Sequence, residues 1–376
     1  MGILTDRENS VNSSHIIVSG RPFSTTWLRD NCLCPSCRHP ENFSKLVDIS
    51  ELPGPPVAEN VLLDKNTLVV EWGDPAPHRS SYPVAWLLEH GFPAAPPEHS
   101  GPARSTWHEA HWAADPPASF DIRECSADGG PWAEHLLKYG FAFFDDLTEA
   151  DLDRFVTALG PVQNTEFGRF ITVKANPEVK DLTTTGHALH PHTDFSTYLH
   201  LPPLLQFMLF IKNEADGGDS IFVDGFKVAE DFRADHSDQF TTLATTPVNF
   251  QQVYTDWRYF LKRTRPIIEL DNKDEVSGVF FAHSHTAAWQ LPAVEMDEFY
   301  AAYNNFFDYL KNPAYQLRTR MRDGQCVAMQ NGRILHGRTA FQPGSGPREL
   351  LDAFVPWEYF EARMRFQNDH KWYVTE

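Results

Sequence analysis

The sequence predicts an α+β fold in two domains, and three observations lead to that prediction. The chain has 376 residues, of which 41% are hydrophobic and 13% aromatic, enough for a substantial globular core. Segments with apolar residues at helical spacing alternate irregularly with short apolar runs typical of strands. The chain shows no internal repeat and no run of about 18 apolar residues. We therefore expect a globular protein, not a solenoid or a membrane-spanning protein.

The first domain is predicted at residues 10–95. Strand-like segments at 15–18 and 68–72 flank a cysteine-rich loop, and residues 84–88 have the apolar pattern of a short helix. A stretch rich in proline, alanine and histidine follows and is typical of an extended connection. We place the linker at residues 96–119.

The second domain is predicted at residues 120–376, where both periodicities occur without a regular order. The predicted helices are 132–139, 149–159 and 296–310, and the predicted strands are 141–144, 206–211, 220–223 and 276–281. From periodicity alone, only an α+β class follows.

Composition limits the partners and the compartment. The formal net charge is −19 with no visible basic cluster, which disfavours nucleic acid and anionic membrane surfaces and leaves a small molecule as the expected partner. No basic and then apolar leader is visible at the N-terminus. Five cysteines without a disulfide framework indicate a reducing compartment, so we expect a cytoplasmic protein.

The segment His192-Thr193-Asp194 and the distant His336 carry the strongest functional signal. Side chains two residues apart in an extended strand point to the same side, so His192 and Asp194 can converge on one ion. Two imidazoles and one carboxylate occupy one face of an octahedral Fe(II) and leave three positions for substrates. The alternative for an H-x-D pair alone is a solvated loop histidine beside a capping aspartate.

Arg348 adds a second chemical task to this pattern. It lies twelve residues after His336, and the glycines and prolines of residues 343–347 allow a turn and a returning strand between them. We expect Arg348 to face the same pocket as the metal. The planar guanidinium can bind a carboxylate in a bidentate manner.

Three of the five cysteines lie within six residues, at Cys32, Cys34 and Cys37. Thiols this close do not readily pair with one another, and thiolates favour a tetrahedral Zn(II) that needs a fourth ligand. His78, after the strand-like segment 68–72, is the preferred candidate, and His39 competes because it lies two residues past Cys37. Four protein ligands would leave no position for a substrate, so the predicted site is structural.

These motifs together resemble a known family. The stretches W-L-R-D-N-C-L-C-P-S-C, H-T-D, G-G-D-S-I-F-V-D-G-F, N-G-R-I-L-H-G-R and R-E-L-L-D-A-F are similar to those of the γ-butyrobetaine hydroxylase family. That family lies within the taurine-dioxygenase-like group of Fe(II)- and 2-oxoglutarate-dependent oxygenases. The resemblance covers nearly the whole chain, and it implies a double-stranded β-helix, or jelly-roll, core with a small N-terminal zinc-binding domain.

The resemblance also implies roles for single residues. His192, Asp194 and His336 would bind iron, and Arg348 would pair with the distal carboxylate of 2-oxoglutarate. Ser220 matches the position where related enzymes place a hydroxyl against that carboxylate, although a serine after Gly-Gly-Asp is also ordinary turn chemistry. The resemblance supports His78 as the fourth zinc ligand and suggests a homodimer. The implied reaction is a hydroxylation that consumes 2-oxoglutarate and O2.

Departures from the family pattern concern the substrate pocket. The family surrounds a trimethylammonium group with aromatic rings through cation–π attraction, and the matching positions here are Phe167, Ile171, Thr184 and Phe354. Only two of these four are aromatic. We therefore predict a substrate other than γ-butyrobetaine, such as an amine, another betaine or a trimethylammonium phosphonate.

Two further positions of the substrate pocket differ. The family's carboxylate-binding asparagine aligns with Asp181, which would repel an anionic tail, and a second asparagine falls near His283. Both are candidate substrate-binding residues.

A bulkier natural product is the alternative substrate. A Zn(II)-dependent hydrolase with the same triad and a catalytically silent binding module are the alternative functions, and neither requires Arg348.

Overall fold

The structure is a computed structural model that describes residues 14–73, 76–91, 103–113, 115–174, 185–198 and 203–369. The chain divides into two compact units, one N-terminal unit up to Glu98 and one from His99 to Asn368. The first unit also includes the residues from Asp369 onward. Among the described residues, no helix is long and apolar enough to cross a membrane.

The N-terminal unit consists of a hairpin, a three-stranded antiparallel sheet and two short helices. Its elements are β1 (His15–Val18), β2 (Arg21–Ser24), α1 (Thr25–Asp30), β3 (Ala58–Asp64), β4 (Thr67–Trp72), β5 (His78–Pro83) and α2 (Val84–His90). Alternate residues of the sheet, among them Val70 and Tyr82, pack in one core with Trp86 and Leu87 of α2. The buried Tyr82 hydroxyl donates to the carbonyl of Leu28, so β5 is fixed to α1.

Two sheets form the centre of the second unit. Their strands are β6 (Ser119–Phe120), β7 (Phe141–Phe144), β8 (Phe170–Lys174), β9 (Leu189–His192), β10 (Leu204–Asn213), β11 (Ser220–Asp224), β16 (Gln316–Thr319), β17 (Cys326–Asn331), β18 (Ile334–Arg338) and β19 (Arg348–Pro356), with β12 (Val248–Tyr254), β13 (Tyr259–Arg265), β14 (Ile268–Leu270) and β15 (Val276–Val279) inserted as two separate hairpins. The six-stranded sheet has the order β6-β7-β17-β10-β19-β8, and the four-stranded sheet has the order β16-β11-β18-β9.

The chain crosses between these two sheets at almost every step. From β9 to β11, and again from β16 to β19, successive strands belong alternately to the four-stranded and the six-stranded sheet. This alternation produces the double-stranded β-helix, or jelly roll, that was predicted. The fold class is thus confirmed as a mixed helix and strand fold with a jelly-roll core.

Helices cover the outer faces of both sheets. They are α4 (Pro131–Tyr139), α5 (Glu149–Leu159), α6 (Gly225–Asp235), α7 (Ser237–Thr245), α8 (Ala293–Lys311) and α9 (Trp357–Asp369). The short helix α3 (Glu109–Ala113) instead contributes Trp112 to the apolar residues between the sheets. Apolar residues of α4, α5 and α9 share a core with the six-stranded sheet, and those of α6, α7 and α8 share one with the four-stranded sheet. The remaining faces of the two sheets meet each other.

The strand period of two decides which residues enter the space between the sheets. On β19, Leu351 and Ala353 belong to the outer core with the helices. Leu350 instead packs with Phe210 of β10 and Phe222 of β11, which lie on different sheets. Even-numbered residues of these strands therefore point inward. We call this space, between the inner faces of the six-stranded and four-stranded sheets, the inter-sheet cavity.

A fully buried ion pair anchors the start of the second unit. Arg333 and Asp224 are 3.0 Å apart with both side chains completely buried. The Arg333 guanidinium also donates to the carbonyls of Ser105 and Lys138, and Asp224 accepts from the amide of Trp107. Residues 103–113 are therefore packed against the core although they lie inside the predicted linker, whose residues 96–102 lie outside the described part.

Most predicted elements of the second unit match the structure closely. The strand at 141–144 and the helix at 149–159 have the predicted bounds, and the helix at 296–310 begins three residues earlier, at Ala293. The predicted strand at 276–281 ends at Val279, since Phe280 and Phe281 leave the hairpin.

Candidate active site

The candidate iron ligands lie on two neighbouring strands of the four-stranded sheet. His192 is the last residue of β9, and His336 of β18 is its direct partner in the antiparallel register. Their ring centroids are 4.4 Å apart. Asp194 follows β9 in a turn, so the H-x-D spacing and the strand pairing together bring all three side chains to one place.

The distances between these three groups fit a shared metal ion. Asp194 Oδ1 lies 3.5 Å from His192 Nε2, and Asp194 Oδ2 lies 3.5 Å from His336 Nε2. One ligand atom from each residue lies within 4.8 Å of the others. Two imidazole nitrogens and one carboxylate with open positions form the donor set of non-haem Fe(II) oxygenases.

The turn that carries Asp194 is held by hydrogen bonds on both sides. The Asp194 amide donates to Asn331 Oδ1 at 3.1 Å, and Asn331 Nδ2 donates to the Asp194 carbonyl at 3.0 Å. Thr193 lies between the two ligands in sequence, and its hydroxyl donates to the Val279 carbonyl at 2.8 Å. The Ser196 hydroxyl donates to the Thr193 carbonyl at 3.0 Å. These contacts fix the direction of the carboxylate before any ion binds.

The neighbours of the ligands determine which atoms face the ion. His192 Nδ1 lies 2.9 Å from the His190 carbonyl, which can only accept, so Nδ1 carries the proton and Nε2 offers its lone pair. Gln206 Nε2 donates to Asp194 Oδ2 at 2.9 Å, which orients the carboxylate. His336 Nδ1 is buried without a hydrogen-bond partner among the described residues.

The protonation states suit metal binding at two of the three ligands. Burial lowers the pKa of His336 to about 4, so this imidazole is neutral at neutral pH. Burial opposes the ionisation of Asp194, but the charges that His336 and His192 carry when they are protonated, the hydrogen bond from protonated His192 and the hydrogen bond from Gln206 hold its pKa well below the ordinary value. Burial also lowers the pKa of His192, yet the bond to Asp194 outweighs it and raises the pKa overall. A metal ion at His192 would therefore compete with a proton.

A pair of arginines lies beside one aromatic ring in the same unit. The guanidinium carbons of Arg338 and Arg348 lie 4.6 Å and 5.5 Å from the centroid of Phe341. Burial lowers the pKa of Arg338 and of Arg348 to about 10, and each is also near another arginine. Two neighbouring buried cations favour an anion with more than one negative charge, such as a dicarboxylate.

Ser220 lies beside Arg338 in the four-stranded sheet. It is the first residue of β11, it is buried, and its direct register partner on β18 is Arg338. Even-numbered residues of β11, such as Phe222, point into the inter-sheet cavity, so Ser220 shares that side. Its role at the cosubstrate stays a prediction.

The N-terminal unit contains a second cluster of metal-binding side chains. His78 Nε2 lies 3.3 Å from Cys32 Sγ, 3.5 Å from Cys34 Sγ and 3.4 Å from Cys37 Sγ. Tetrahedral ligands bound at about 2.0–2.3 Å are separated by about 3.5 Å, so the four atoms fit one Zn(II). This arrangement is the closed type of structural zinc site.

Local structure explains why His78 and not His39 completes this cluster. His39 accepts from the Glu41 amide and lies in the turn after Cys37, whereas His78 begins β5 and reaches the sulfurs from the sheet. Burial raises the pKa of Cys37 to about 12, although Arg29 donates to its sulfur at 3.4 Å. A thiolate at Cys37 therefore requires a nearby cation, which Zn(II) would supply.

The predicted substrate-binding residues Phe354 and Phe167 differ in their exposure and in the rings that they contact. Phe354 is buried on the inner face of β19 and packs edge-to-face on Phe195 at 4.8 Å. Phe167 is 41% exposed and packs on Tyr254 and Trp257 of the first inserted hairpin.

The other predicted substrate residues stay predictions. The ring of His283 stacks on Phe307 of α8, 5.2 Å away, so its described contacts lie on the helix side of the four-stranded sheet. Asp181 and Thr184 lie outside the described residues.

Comparison with known proteins decides the family. Residues 104–354 match the family model described as "Taurine catabolism dioxygenase TauD, TfdA family". A γ-butyrobetaine dioxygenase from Pseudomonas sp. (strain AK-1) is 30% identical over 351 residues, 91% of this chain and 90% of that protein. The chain belongs to the TauD, TfdA family.

Two further matches are more distant. A trimethyllysine dioxygenase from the yeast Meyerozyma guilliermondii is 26% identical over 366 residues, 92% of this chain and 90% of that protein. Among solved structures, PvcB from Pseudomonas aeruginosa has a TM-score of 0.47 at 18% identity, covering 63% of this chain and 82% of that one.

Membership of the TauD, TfdA family confirms the predicted class of enzyme and its cofactors. The chain is a dioxygenase that uses Fe(II), 2-oxoglutarate and O2, and its Cys3His cluster is compatible with a structural zinc. The alternatives of a zinc hydrolase and of a silent binding module are thereby set aside.

Three polar residues at this TauD-type site were missed by the sequence analysis. They are Arg338, Gln206 and Asp352, all buried. A signal existed for Arg338, because it lies two residues after His336 on the same strand and must share its side. For Gln206 and Asp352 the only sequence signal is a polar residue inside an apolar strand.

Proposed function

We propose that this chain hydroxylates a C–H bond of a small aliphatic ammonium compound, with His192, Asp194 and His336 as the iron ligands. One observation carries the proposal: these three side chains converge within 4.8 Å of one another. When bound, Fe(II) would supply the activation of O2, in a reaction that converts 2-oxoglutarate, O2 and substrate C–H into succinate, CO2 and C–OH.

The tasks of the protein side chains are geometric. Asn331 and Gln206 hold Asp194 in place, and the His190 carbonyl holds the ring of His192. We propose that Arg348, with Arg338 and Ser220 beside it, binds the distal carboxylate of 2-oxoglutarate. Fixing both ends of the cosubstrate would leave one direction free for the substrate.

The substrate class follows from the relatives and from this chain's own residues. The two relatives named above are dioxygenases of γ-butyrobetaine and of trimethyllysine, both of them trimethylammonium compounds. Phe354 and Phe195 offer aromatic faces on the inner side of the site. Ile171, in place of an aromatic residue, supports a substrate other than γ-butyrobetaine itself.

We further propose a zinc-binding domain at residues 10–95 and an oxygenase domain at 120–376, and we assign the packed residues 103–113 of the predicted linker 96–119 to the oxygenase domain. A reducing cytoplasmic environment would keep the cysteines of the N-terminal unit available to Zn(II). The homodimer stays a prediction.

The test is a screen of quaternary ammonium compounds, amines and small carboxylates for O2-dependent succinate formation from 2-oxoglutarate with added Fe(II). We expect ammonium compounds to raise succinate formation above the rate without substrate. Stimulation by carboxylates alone would contradict the proposed substrate class.

A further inference from the structure

Asp352 is a buried acid on the inner face of the six-stranded sheet. It lies on β19 between Leu350 and Phe354, and Leu350 points into the inter-sheet cavity. Its neighbours Leu351 and Ala353 point outward to the helices, so the Asp352 side chain points inward. Only 8% of the residue is exposed.

The carboxyl group of Asp352 lacks a matching donor. Among the described residues, Asp352 Oδ1 is buried without a hydrogen-bond partner. No lysine, arginine or histidine nitrogen of those residues lies close enough to the Asp352 carboxylate to form an ion pair. Buried polar atoms are nearly always hydrogen-bonded, so an orphaned carboxylate oxygen indicates a functional partner.

A second orphaned acceptor lies beside it. Gln206 of β10 is completely buried, and its amide nitrogen is already used in the bond to Asp194. Because a carboxylate only accepts, the other side-chain atom of Gln206 must be the oxygen, and this Oε1 has no partner among the described residues. The register pairs Gln206 with Phe354 and Met208 with Asp352, so the two acceptors are diagonal neighbours on one face.

The position of Asp352 favours the substrate over the cosubstrate as its partner. Arg348 and Asp352 are four residues apart on the same strand, which separates their Cα atoms by about 13 Å. An acid would repel the doubly negative 2-oxoglutarate, whereas Asp352 lies next to Phe354 and close to Gln206, which contacts a candidate iron ligand. Asp352, the Gln206 side-chain oxygen and the Phe354 ring thus form one surface beside the candidate iron ligands.

Two acceptors call for a ligand that carries hydrogen-bond donors. A protonated primary or secondary amine offers N–H groups and a positive charge, whereas a quaternary ammonium group offers no N–H. We propose, on the basis of the proposed function, that Asp352 and the Gln206 side-chain oxygen bind the protonated amine of the substrate, so that the enzyme prefers N–H-bearing amines to their trimethylated analogues.

The electrostatics of Asp352 agree with this arrangement. Burial raises the pKa of Asp352 well above its ordinary value, Asp194 raises it further, and Arg348 opposes them. A cation that arrives beside this carboxyl group favours its charged form. The ion pair would therefore form when the substrate binds.

The test compares amines that differ only in methylation. We would titrate butylamine, butyltrimethylammonium, 4-aminobutyrate and γ-butyrobetaine into enzyme loaded with Fe(II) and N-oxalylglycine, with calorimetry as the readout. Succinate formation with 2-oxoglutarate gives a second readout. We expect each N–H-bearing compound to bind about 10-fold or more tightly than its trimethylated partner. Equal or tighter binding of the trimethylated compounds overturns the inference, and this comparison needs no variant.

The variant Asp352→Asn separates charge from packing. Asparagine keeps the shape of the side chain but removes its negative charge, so a purely structural Asp352 would tolerate it with unchanged amine affinity. We expect about a 10-fold loss for the amines, little change for the trimethylated compounds, and an unchanged KM for 2-oxoglutarate. Met208→Leu, at the register partner of Asp352, is the matched control and should leave the amine preference intact.

The outcomes distinguish this inference from the proposed function. If trimethylated compounds are hydroxylated and Asp352→Asn has no effect on amine binding, the inference fails and the proposed function stands. If no compound of either series binds or raises succinate formation, the proposed substrate class fails, and the inference fails with it.

Discussion

The two metal-binding clusters of this chain are built in opposite ways. In the N-terminal unit, three sulfurs and one imidazole nitrogen surround one point, and every position of a tetrahedral ion is filled by the protein. In the second unit, two imidazoles and one carboxylate occupy only one side of an ion. The first cluster is suited to holding structure, and the second is suited to admitting reactants.

The surroundings of the two clusters differ in the same sense. The cysteine loop is tied to its own unit by the bonds of Arg29 to Cys37 and of Tyr82 to Leu28. Among the described residues, buried side-chain atoms without a hydrogen-bond partner occur near both clusters. Near the cysteines they are guanidinium donors, Arg29 Nε and Arg38 Nε, whereas near the open triad they include two acceptors, Gln206 Oε1 and Asp352 Oδ1. Unsatisfied buried groups cost stability, so the two acceptors at the open triad call for a ligand that donates.

Removing the carboxylate of the open cluster should have the largest effect. Asp194→Ala leaves two imidazoles for Fe(II), and we expect Fe(II)-dependent succinate formation to fall more than about 100-fold, beyond what the loss of a supporting contact causes. Asp308→Ala, at an exposed acid of α8, is the control. Activity retained by Asp194→Ala with a normal melting profile would remove Asp194 from the ligand set.

The closed cluster should respond in stability and not in chemistry. Cys34→Ser should abolish stoichiometric zinc in elemental analysis and cost about 2 kcal/mol or more, a fall in Tm of about 10 °C for a small unit. Cys125→Ser, which lies outside the cluster, should leave the zinc content unchanged. Full zinc occupancy in Cys34→Ser would contradict the assignment.

A substitution of Arg348 tests how the enzyme binds 2-oxoglutarate beside the open cluster. A hydrogen bond to a charged group contributes about 1.5–3 kcal/mol, so Arg348→Leu should raise the KM for 2-oxoglutarate about 10- to 100-fold. Arg322→Leu, at a side chain that is 71% exposed, serves as the control. An unchanged KM in Arg348→Leu would reject the assigned partner.

The smallest effect is expected at the turn that carries Asp194. Thr193→Val keeps the volume but removes the hydrogen bond to the Val279 carbonyl, and we expect a loss of about 1 kcal/mol in the free energy of unfolding. The affinity for Fe(II) should fall by less than about 10-fold, because the three ligands remain. Chemical denaturation and Fe(II) titration would measure both values, and a loss as large as that of Asp194→Ala would show that the turn has no other support.

The parts of the site that follow from local rules were predictable from the sequence. The convergence of His192 with Asp194 depends on the strand period of two, and the return of Arg348 depends on a turn rich in glycine and proline. The direct pairing of His336 with His192 required strands that are far apart in the chain to become neighbours. A shared metal requires such a pairing, but no local pattern of the sequence specifies its register.

The residues around the substrate could not be placed in this way. Asp352 and Gln206 become neighbours through the register of β10 and β19, which no local pattern of the sequence specifies. Phe167 contacts the first inserted hairpin, and His283 packs against α8, so both depend on the insertion between β11 and β16. Alignment with a family gives a position along the chain, but inserted elements decide what surrounds it.

The Arg333–Asp224 ion pair sets a limit on how far the oxygenase unit can be trimmed. A polypeptide that started after Trp107 would lose the Ser105 carbonyl and the Trp107 amide. The buried Arg333 and Asp224 would then each lose a hydrogen bond that stabilises its charge. Losing a partner of a buried charge costs about 3–5 kcal/mol in comparable cases, a large share of the total stability of a domain. Residues 103–113 thus belong to the oxygenase unit, and proteolytic nicking there should inactivate the enzyme although none of the candidate iron ligands lies among them.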